Sequence, residues 1–200
     1  MKNLRINFRL SNLKDDINKI SEYIYETDMY IYPTIINDNE KEEWINIISQ
    51  CFKDVENIFY YKNLLVVEVD NEIQGILCII QGGKEYHFSK NINYSNDLVN
   101  KIQIVEKGYF KPLIVENLLI EGINIINLCI DEKYRHQGLG QQLLSYCFSL
   151  FPNQKCTLDV IKDNIPAVNL YLKNGFKIEK EYEGFSGKGK FITCLKMVKD

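Results

Sequence analysis

The residues whose types and spacing most clearly suggest chemistry are two glycines, Gly138 and Gly140. They follow an apolar run, Ile123 to Ile130, and they open a segment with helical periodicity that stops before Pro152. A strand, a glycine-bearing turn and a helix N-terminus in this order present unpaired backbone N–H groups to a phosphate. Glycine also lets the backbone come close to a ligand. The stretch is therefore either an anion-binding turn or an ordinary tight connection.

Tyr171 lies in a second stretch with clear local signals. It lies in a predicted helix that Asn164 caps, that carries Pro166 in its first turn and that ends at Gly175. Tyr171 also falls on the apolar face of this helix. Taken alone, that position favours a core residue that packs the helix onto a sheet.

The elements that must position these residues alternate between strands and helices. Strands are indicated by alternating or β-rich composition at Leu4 to Leu10, Leu64 to Val69, Ile73 to Ile80, Ile123 to Ile130, Cys156 to Ile161, Phe176 to Tyr182 and Phe191 to Val198. Asp70-Asn71 predicts a hairpin between the second and third of these strands. A glycine-rich turn, Gly184 to Gly189, is predicted to join the last two.

Helices are indicated by polar caps followed by apolar stripes. Asn12 is the predicted cap of one helix, which buries Ile17, Ile20 and Ile24. Asn39 is the predicted cap of a second helix, which turns Trp44, Ile48 and Cys51 inward. The helix after the glycine turn has an apolar stripe at Leu139, Leu143, Cys147 and Leu150.

These elements together predict the α/β fold class. We expect a single domain over residues 1–200, with a central mixed sheet of about six to seven strands flanked by helices. Residues 84–121 are less regular and are interpreted as an insertion, with one helix predicted after Ser95 and a second after Pro112.

Composition excludes several function classes. The net charge is −3, from 24 basic and 27 acidic residues, so the chain has no nucleic-acid-binding footprint. The six cysteines form no C-x-x-C pair and have no histidine at zinc spacing, so no metal site is predicted. We expect a cytoplasmic protein without a membrane partner, because neither a signal-peptide core nor an apolar run of membrane-spanning length is present.

Two segments read together, residues 128–144 and 163–176, resemble the GNAT superfamily of acyl-CoA-dependent N-acyltransferases. The first resembles the family's acetyl-CoA motif, a strand followed by Arg/Gln-x-x-Gly-x-Gly/Ala, which Arg135, Gly138 and Gly140 match. The second resembles the following motif, Asn-x-x-Ala…Leu-Tyr-x-x-x-Gly-Phe, whose positions are Asn164, Ala167, Leu170, Tyr171, Gly175 and Phe176. Both motifs stand in the family's order, and the resemblance covers nearly the whole chain except 84–121.

The resemblance implies where acetyl-CoA binds. Backbone N–H groups at the helix N-terminus would bind its pyrophosphate, and they come from Arg135, His136, Gln137, Gly138, Leu139, Gly140 and Gln141. The amide-rich pantetheine arm would pair with the backbone of Leu128, Cys129 and Ile130 as an added strand does. In the family this strand carries a bulge and diverges from its neighbour. Asn164 resembles the residue that hydrogen-bonds pantetheine, and Lys173 is placed to reach the nucleotide end or is simply solvated.

The resemblance also gives Tyr171 a role, that of the residue that protonates or hydrogen-bonds the departing sulfur. The N–H of Ile130 is a candidate donor to the oxyanion. The general base is less well defined, because the strand position where several family members carry glutamate holds asparagines, Asn124 and Asn127. Glu121 is the nearest carboxylate and a candidate base, or it is only a charge at the start of a strand. A water held by Asn124 or Asn127, or an amine already deprotonated, would serve instead.

The leading interpretation is an N-acetyltransferase that moves an acetyl group from acetyl-CoA to a primary amine by direct attack in a ternary complex. The alternative, from another class, is a sensor or interaction module that binds acyl-CoA without turnover. A P-loop is excluded because its Lys-Ser/Thr pair is absent. The acceptor stays open among small amines and peptides, and a homodimer is possible because dimers are frequent in the superfamily.

Overall fold

The computed structural model describes residues 4–27, 41–87, 93, 100, 121–186 and 190–200, without the side chains of 184–191. In chain order its elements are β1 (Ile6–Leu10), α1 (Ile17–Thr27), α2 (Lys41–Cys51), β2 (Leu64–Val69), β3 (Glu72–Gln81), β4 (Ile123–Ile130), α3 (Leu139–Leu150), β5 (Cys156–Ile161), α4 (Ile165–Lys173), β6 (Lys177–Ser186) and β7 (Lys190–Lys199). The predicted strands are all present. In the described part of the chain, no helix is both long and apolar enough to cross a membrane.

The seven strands form one sheet in the order β1-β2-β3-β4-β5-β7-β6. Only β4 and β5 are parallel; the other neighbouring pairs are antiparallel. α3 is the crossover between these two strands, which is how a parallel pair is usually connected. The α/β fold class and the mixed sheet flanked by helices are thus confirmed.

The sheet has a hydrophobic core on each side, because its central strands are apolar on both faces. On one face, α1 and α2 cover β2, β3 and part of β4, and the largest buried side chain there is Trp44. On the other face, α3 and α4 cover the sheet from β2 to β7, with Leu143, Leu144 and Cys147 of α3 fully buried. We call these the α1 face and the α3 face. Alternation along each strand therefore tells which face a side chain joins.

Local signals predicted most of the boundaries. Asp70 and Asn71 both have positive φ, 52° and 69°, which suits a two-residue hairpin turn. The side-chain oxygen of Asn164 accepts from Ala167 N–H at 3.3 Å and caps α4 as predicted.

Three boundary predictions are corrected. Asn12 and Asp15 do bond reciprocally, but they close a turn, and the oxygen of Asp16 accepts from Lys19 N–H at the start of α1. Leu150, which the predicted stripe turns inward, is 39% exposed, because it is the last residue of α3. The last hairpin is longer than predicted, since pairing continues to Ser186↔Lys190. Asn39 and the helices predicted after Ser95 and Pro112 lie outside the described residues.

The feature of the sheet that matters most for function is the junction of β4 and β5. They pair only over Ile123–Ile125 and Cys156–Leu158, although β4 continues to Ile130 and β5 to Ile161. The pairing of β4 with β3 slips between Cys78↔Asn127 and Ile79↔Ile125, so Ile126 is an extra residue, a β-bulge. The bulge and the divergence of the strands agree with what the family resemblance implied. We call the space between the diverging ends the β4–β5 gap.

Candidate active site

Backbone donors of β4 face the β4–β5 gap. Asp131, the residue directly after β4, donates its N–H to Gln74 O of β3 at 2.8 Å. Successive residues of a strand point their backbone groups to opposite sides, so Cys129 also faces β3, whereas Leu128 and Ile130 face the gap. These two residues are beyond the last pair with β5. The predicted pantetheine strand therefore has an edge without a partner strand in the middle of the sheet.

The glycine turn follows directly. Asp131 caps a short 3₁₀ helix, Glu132–Tyr134, by accepting from Lys133 N–H. Arg135 N–H donates to Glu132 O at 3.2 Å, so it is used within the turn, and the donors left for an anion start at His136. His136 and Gly138 both have positive φ, 61° and 81°. Alternating left-handed residues make a concave row of N–H groups of the kind that binds anions.

The first turn of α3 completes this row. Leu139, Gly140 and Gln141 are at the helix start, where no preceding carbonyl can accept their N–H groups, and helical bonding begins with Gln142 N–H to Gly138 O. A Cβ added to Gly140 would lie 3.4 Å from Leu170 of α4 and 3.8 Å from Leu128. The two segments that the sequence motifs single out therefore meet at Gly140.

The side chain of Arg135 has a structural contact that its motif does not predict. Its Nε donates to Ile130 O at 2.8 Å, and its Nη2 lies 3.5 Å from Glu26 Oε2 at the end of α1. The Arg135 side chain thus connects Ile130, the last residue of β4, to Glu26 of α1. The predicted phosphate contact would instead come from the backbone of the glycine turn. On α4, Asn164 and Lys173 are exposed at opposite ends of the helix.

Tyr171 lies on the α3 face, 7% exposed, with its ring edge against Phe176 at 5.7 Å between centroids. Burial, with a contribution from Cys156, raises the pKa of its hydroxyl well above the ordinary value. The hydroxyl is protonated at neutral pH, as a tyrosine ordinarily is, and the raised pKa makes it a weaker acid. The packing role that the residues alone favoured and the proton-donor role that the resemblance implies are both compatible with this position.

Glu121 lies away from the gap. It is exposed and precedes β4, where Ile123 N–H donates to Lys155 O at the closed, paired end of the two strands. The gap opens about five residues further along, roughly 15 Å at the rise of a strand. The structure does not bring Glu121 together with the other candidates. Glu68, a strand carboxylate further off, is bound by Arg9.

Asp159 is a carboxylate at the gap that sequence reasoning did not identify. It is the first β5 residue beyond the last pair with β4. Its neighbours Leu158 and Val160 join the core of the α3 face, so Asp159 points to the α1 face. Tyr182 of β6 donates to its Oδ1 at 2.9 Å. The signal that could have found it is a lone acid within the apolar run of β5, CTLDVI.

Asn124 and Thr157 lie one step earlier on the same face, as a buried hydrogen-bonded pair across the two strands. The six cysteines are all free and buried. Cys129, the nearest to the gap, is turned toward α1, and burial together with Glu26 raises the pKa of its thiol to about 12. Among the described residues no cluster of His, Cys, Asp or Glu is arranged to hold a metal ion.

Comparison with known proteins agrees with this geometry. A family described as "Acetyltransferase (GNAT) domain" matches residues 60–178, which include the gap, the glycine turn and Tyr171. The spermine/spermidine N(1)-acetyltransferase of Bacillus subtilis (strain 168) is 26% identical over 129 residues, 62% of this chain and 82% of that protein.

Solved structures share the fold at low sequence identity. An N-acetyltransferase from Staphylococcus aureus Mu50 superposes with a TM-score of 0.70 at 18% identity, over 96% of this chain and 99% of that one. The ribosomal-protein-S18-alanine N-acetyltransferase of Escherichia coli gives 0.55 at 10% identity, over 98% and 93%. The family match covers more than half of the chain. The protein therefore belongs to the GNAT family and is an N-acetyltransferase.

Proposed function

We propose that this enzyme transfers an acetyl group from acetyl-CoA to a primary amine by direct attack, in the cytoplasm. The observation that carries the proposal is the β4–β5 gap, whose unpaired strand edge leads into a row of open N–H groups at the start of α3. Pantetheine would pair with Leu128, Cys129 and Ile130, chiefly through the gap-facing residues of this edge. The pyrophosphate would lie on the turn from Arg135 to Gln141, with Asn164 and Lys173 on the flank.

The reaction forms a C–N bond and breaks the thioester C–S bond. As the amine adds to the carbonyl carbon, negative charge develops on the carbonyl oxygen, and the gap-facing N–H of Ile130 is suited to donate a hydrogen bond to that oxygen. The sulfur leaves with the C–S electron pair, and the Tyr171 hydroxyl donates a hydrogen bond to the departing thiolate. Burial raises the pKa of Tyr171 and so makes it a weaker acid, which favours this hydrogen bond over full proton transfer.

The amine must lose a proton during the attack. Asp159 is better placed than Glu121 to receive it, because Asp159 lies beside the gap on the α1 face, whereas Glu121 lies at the closed end of the strands. Tyr182 donates to Asp159 and so fixes the orientation of its carboxylate. A water held near Asn124 would extend the reach of Asp159 if the amine is further away.

Direct attack is favoured over an acyl-enzyme. Cys129 is the thiol nearest to the gap, but its side chain is buried, points to the α1 face and has a pKa of about 12. A thiol is nucleophilic as its thiolate, which this environment disfavours. Transfer through a cysteine would need a different residue arrangement from the one at the gap.

The names of similar proteins indicate which acceptors to test. The Bacillus subtilis relative is named for spermine and spermidine, which supports testing polyamines first. Small arylalkylamines and peptide N-termini belong in the same panel, because structural neighbours are named for such acceptors.

The experiment is thiol release from acetyl-CoA with this amine panel, for the wild type and for Tyr171→Phe. We expect release with at least one amine, and a fall in kcat of tenfold or more for the variant with an unchanged Kd for CoA. A variant with normal kcat would leave Tyr171 a packing role only. CoA binding without release on any amine would instead indicate the acyl-CoA sensor.

A further inference from the structure

Asn127 at the bulge of β4 carries an orphaned hydrogen-bond acceptor. The residue is 5% exposed, and its Nδ2 donates to Thr27 Oγ1 at 2.6 Å. Thr27 in turn donates its hydroxyl hydrogen to Ile24 O at 2.7 Å. The hydroxyl can therefore only accept from Asn127, which fixes the amide orientation. Oδ1 is left on the other side, buried and without a hydrogen-bond partner among the described residues.

Such a group needs an explanation. A buried acceptor without a partner costs on the order of 1–3 kcal/mol, and native structures hold few of them. Replacing Asn127 by an apolar residue of the same size would remove this cost. An orphaned oxygen at a ligand gap therefore indicates a partner that arrives with the ligand.

The position of Asn127 is fixed by strand register. Ile125 and Leu158 form the last pair of β4 and β5, and both join the core of the α3 face. One step further, Asp159 points to the α1 face. Because the bulge inserts Ile126, Asn127 is the β4 residue at the same level, and its bond to α1 puts it on the same face. Asn127 and Asp159 thus lie on the two strands at the level where the gap begins.

We propose that Oδ1 of Asn127 binds an N–H of the attacking amine and selects primary amines. The inference rests on the proposed function. A primary amine attacks with its lone pair and has two N–H bonds, one for Asn127 Oδ1 and one for Asp159. With both held, the lone pair is directed at the thioester carbon in the gap. A secondary amine offers one N–H in place of two, and an alcohol has only the O–H that the base must take.

The test compares two probes, propane-1,3-diamine and its N,N′-dimethyl derivative, in the wild type, Asn127→Leu and Thr27→Val. Wild type should prefer the primary diamine by about tenfold in kcat/KM, the value of one hydrogen bond. Asn127→Leu should lose this preference through a higher KM for the primary diamine, with Kd for CoA unchanged. Thr27→Val keeps Oδ1 but releases the amide that Thr27 orients, so it should weaken the preference less than Asn127→Leu does.

The melting temperatures of the two variants distinguish a substrate-binding role of Asn127 from a purely structural one. Asn127→Leu removes an orphaned acceptor and should melt at or above the wild-type temperature, whereas Thr27→Val orphans Nδ2 and should melt lower. An unchanged preference in Asn127→Leu, or its equal loss in Thr27→Val, would overturn the proposal. Propane-1,3-diamine binding to the CoA complex, followed by melting temperature, gives a readout without turnover. If wild type binds but never turns over, the proposed function fails, and the loss or retention of that binding in Asn127→Leu still decides the role of Asn127.

Discussion

Asp159 is the residue whose assignment changes the chemistry most. The sequence offered Glu121 as the carboxylate nearest to the motif, yet three-dimensional placement separates Glu121 from the gap and puts Asp159 at its edge. A strand carboxylate surrounded by apolar neighbours is costly unless its charge is hydrogen-bonded, and Tyr182 provides such a bond. A functional role is one reason to keep an acid there.

The two carboxylates can be separated by matched amide variants. Asp159→Asn should lower kcat about 100-fold, because it removes the proton acceptor while keeping the hydrogen bond from Tyr182 possible, and Kd for CoA should not change. Glu121→Gln should stay within twofold of wild type. Steady-state kinetics with the best amine measure both. Equal losses in the two variants, or a loss only in Glu121→Gln, would contradict the assignment to Asp159.

Among the elements, the glycine turn and α3 form the part that most depends on backbone shape. Gly138 has φ of 81°, and a Cβ added there would meet only Gln142 Nε2, at 3.8 Å. A substitution at this position therefore strains the backbone without a steric clash, at a cost of about 1 kcal/mol. Relaxing that strain would turn the N–H groups away from their common centre.

Gly138→Ala should therefore raise Kd for CoA about tenfold or more, while the protein stays folded. Gly83→Ala is the matched control, because Gly83 has φ of 76° and open space around it but lies in the turn after β3. Titration calorimetry with CoA and thermal melting measure both effects. If both variants lose the same stability and neither loses affinity, the turn does not bind the pyrophosphate.

At the scale of the whole molecule, one ion-pair cluster joins the start of the chain to the sheet. Arg9 of β1 binds Glu68 of β2 and Asp15 in the turn before α1. Its hydrogen bonds hold the pKa of Glu68 below the ordinary value. For Asp15, burial raises the pKa, but the bonds from Arg9 and Asn12 outweigh it, so the pKa is lowered.

Lowered pKa values in the folded state make the cluster a source of acid sensitivity. The stabilisation is complete above the unfolded carboxyl values of about 4 and is lost as pH falls toward the lower folded values. Arg9→Met should cost about 2 kcal/mol of unfolding free energy at pH 7 and flatten its decline below pH 5. The exposed pair of Lys162 and Glu181 is the control, since Lys162→Met should change stability by under about 0.5 kcal/mol. Urea denaturation across pH measures both, and parallel pH curves for Arg9→Met and wild type would refute the role of the cluster.

The sequence could predict those parts of the fold and the site that depend on local signals. Turn and cap residues such as Asp70-Asn71 and Asn164 act locally, so their elements were predicted with good boundaries. Ile126 gives no local sign of a bulge, because a bulge depends on register with β3, a strand more than forty residues away. Asp159, and likewise the bond of Arg135 to Ile130 O, depend on where β4 and β5 part. The proposed cofactor half of the site is local in sequence, so the sequence could name its residues; the proposed acceptor half depends on these long-range pairings.

The short contact between β4 and β5 has a mechanical consequence. This contact divides the sheet into two halves, β1 to β4 and β5 to β7, and each half is one continuous stretch of the chain. Within the sheet, the two halves are joined by only the three residue pairs between β4 and β5. Under tension across the sheet, this line is where the fewest backbone hydrogen bonds resist. A molecule lying in the gap adds bonds along the same line, so substrate binding would also increase the tensile strength of the sheet.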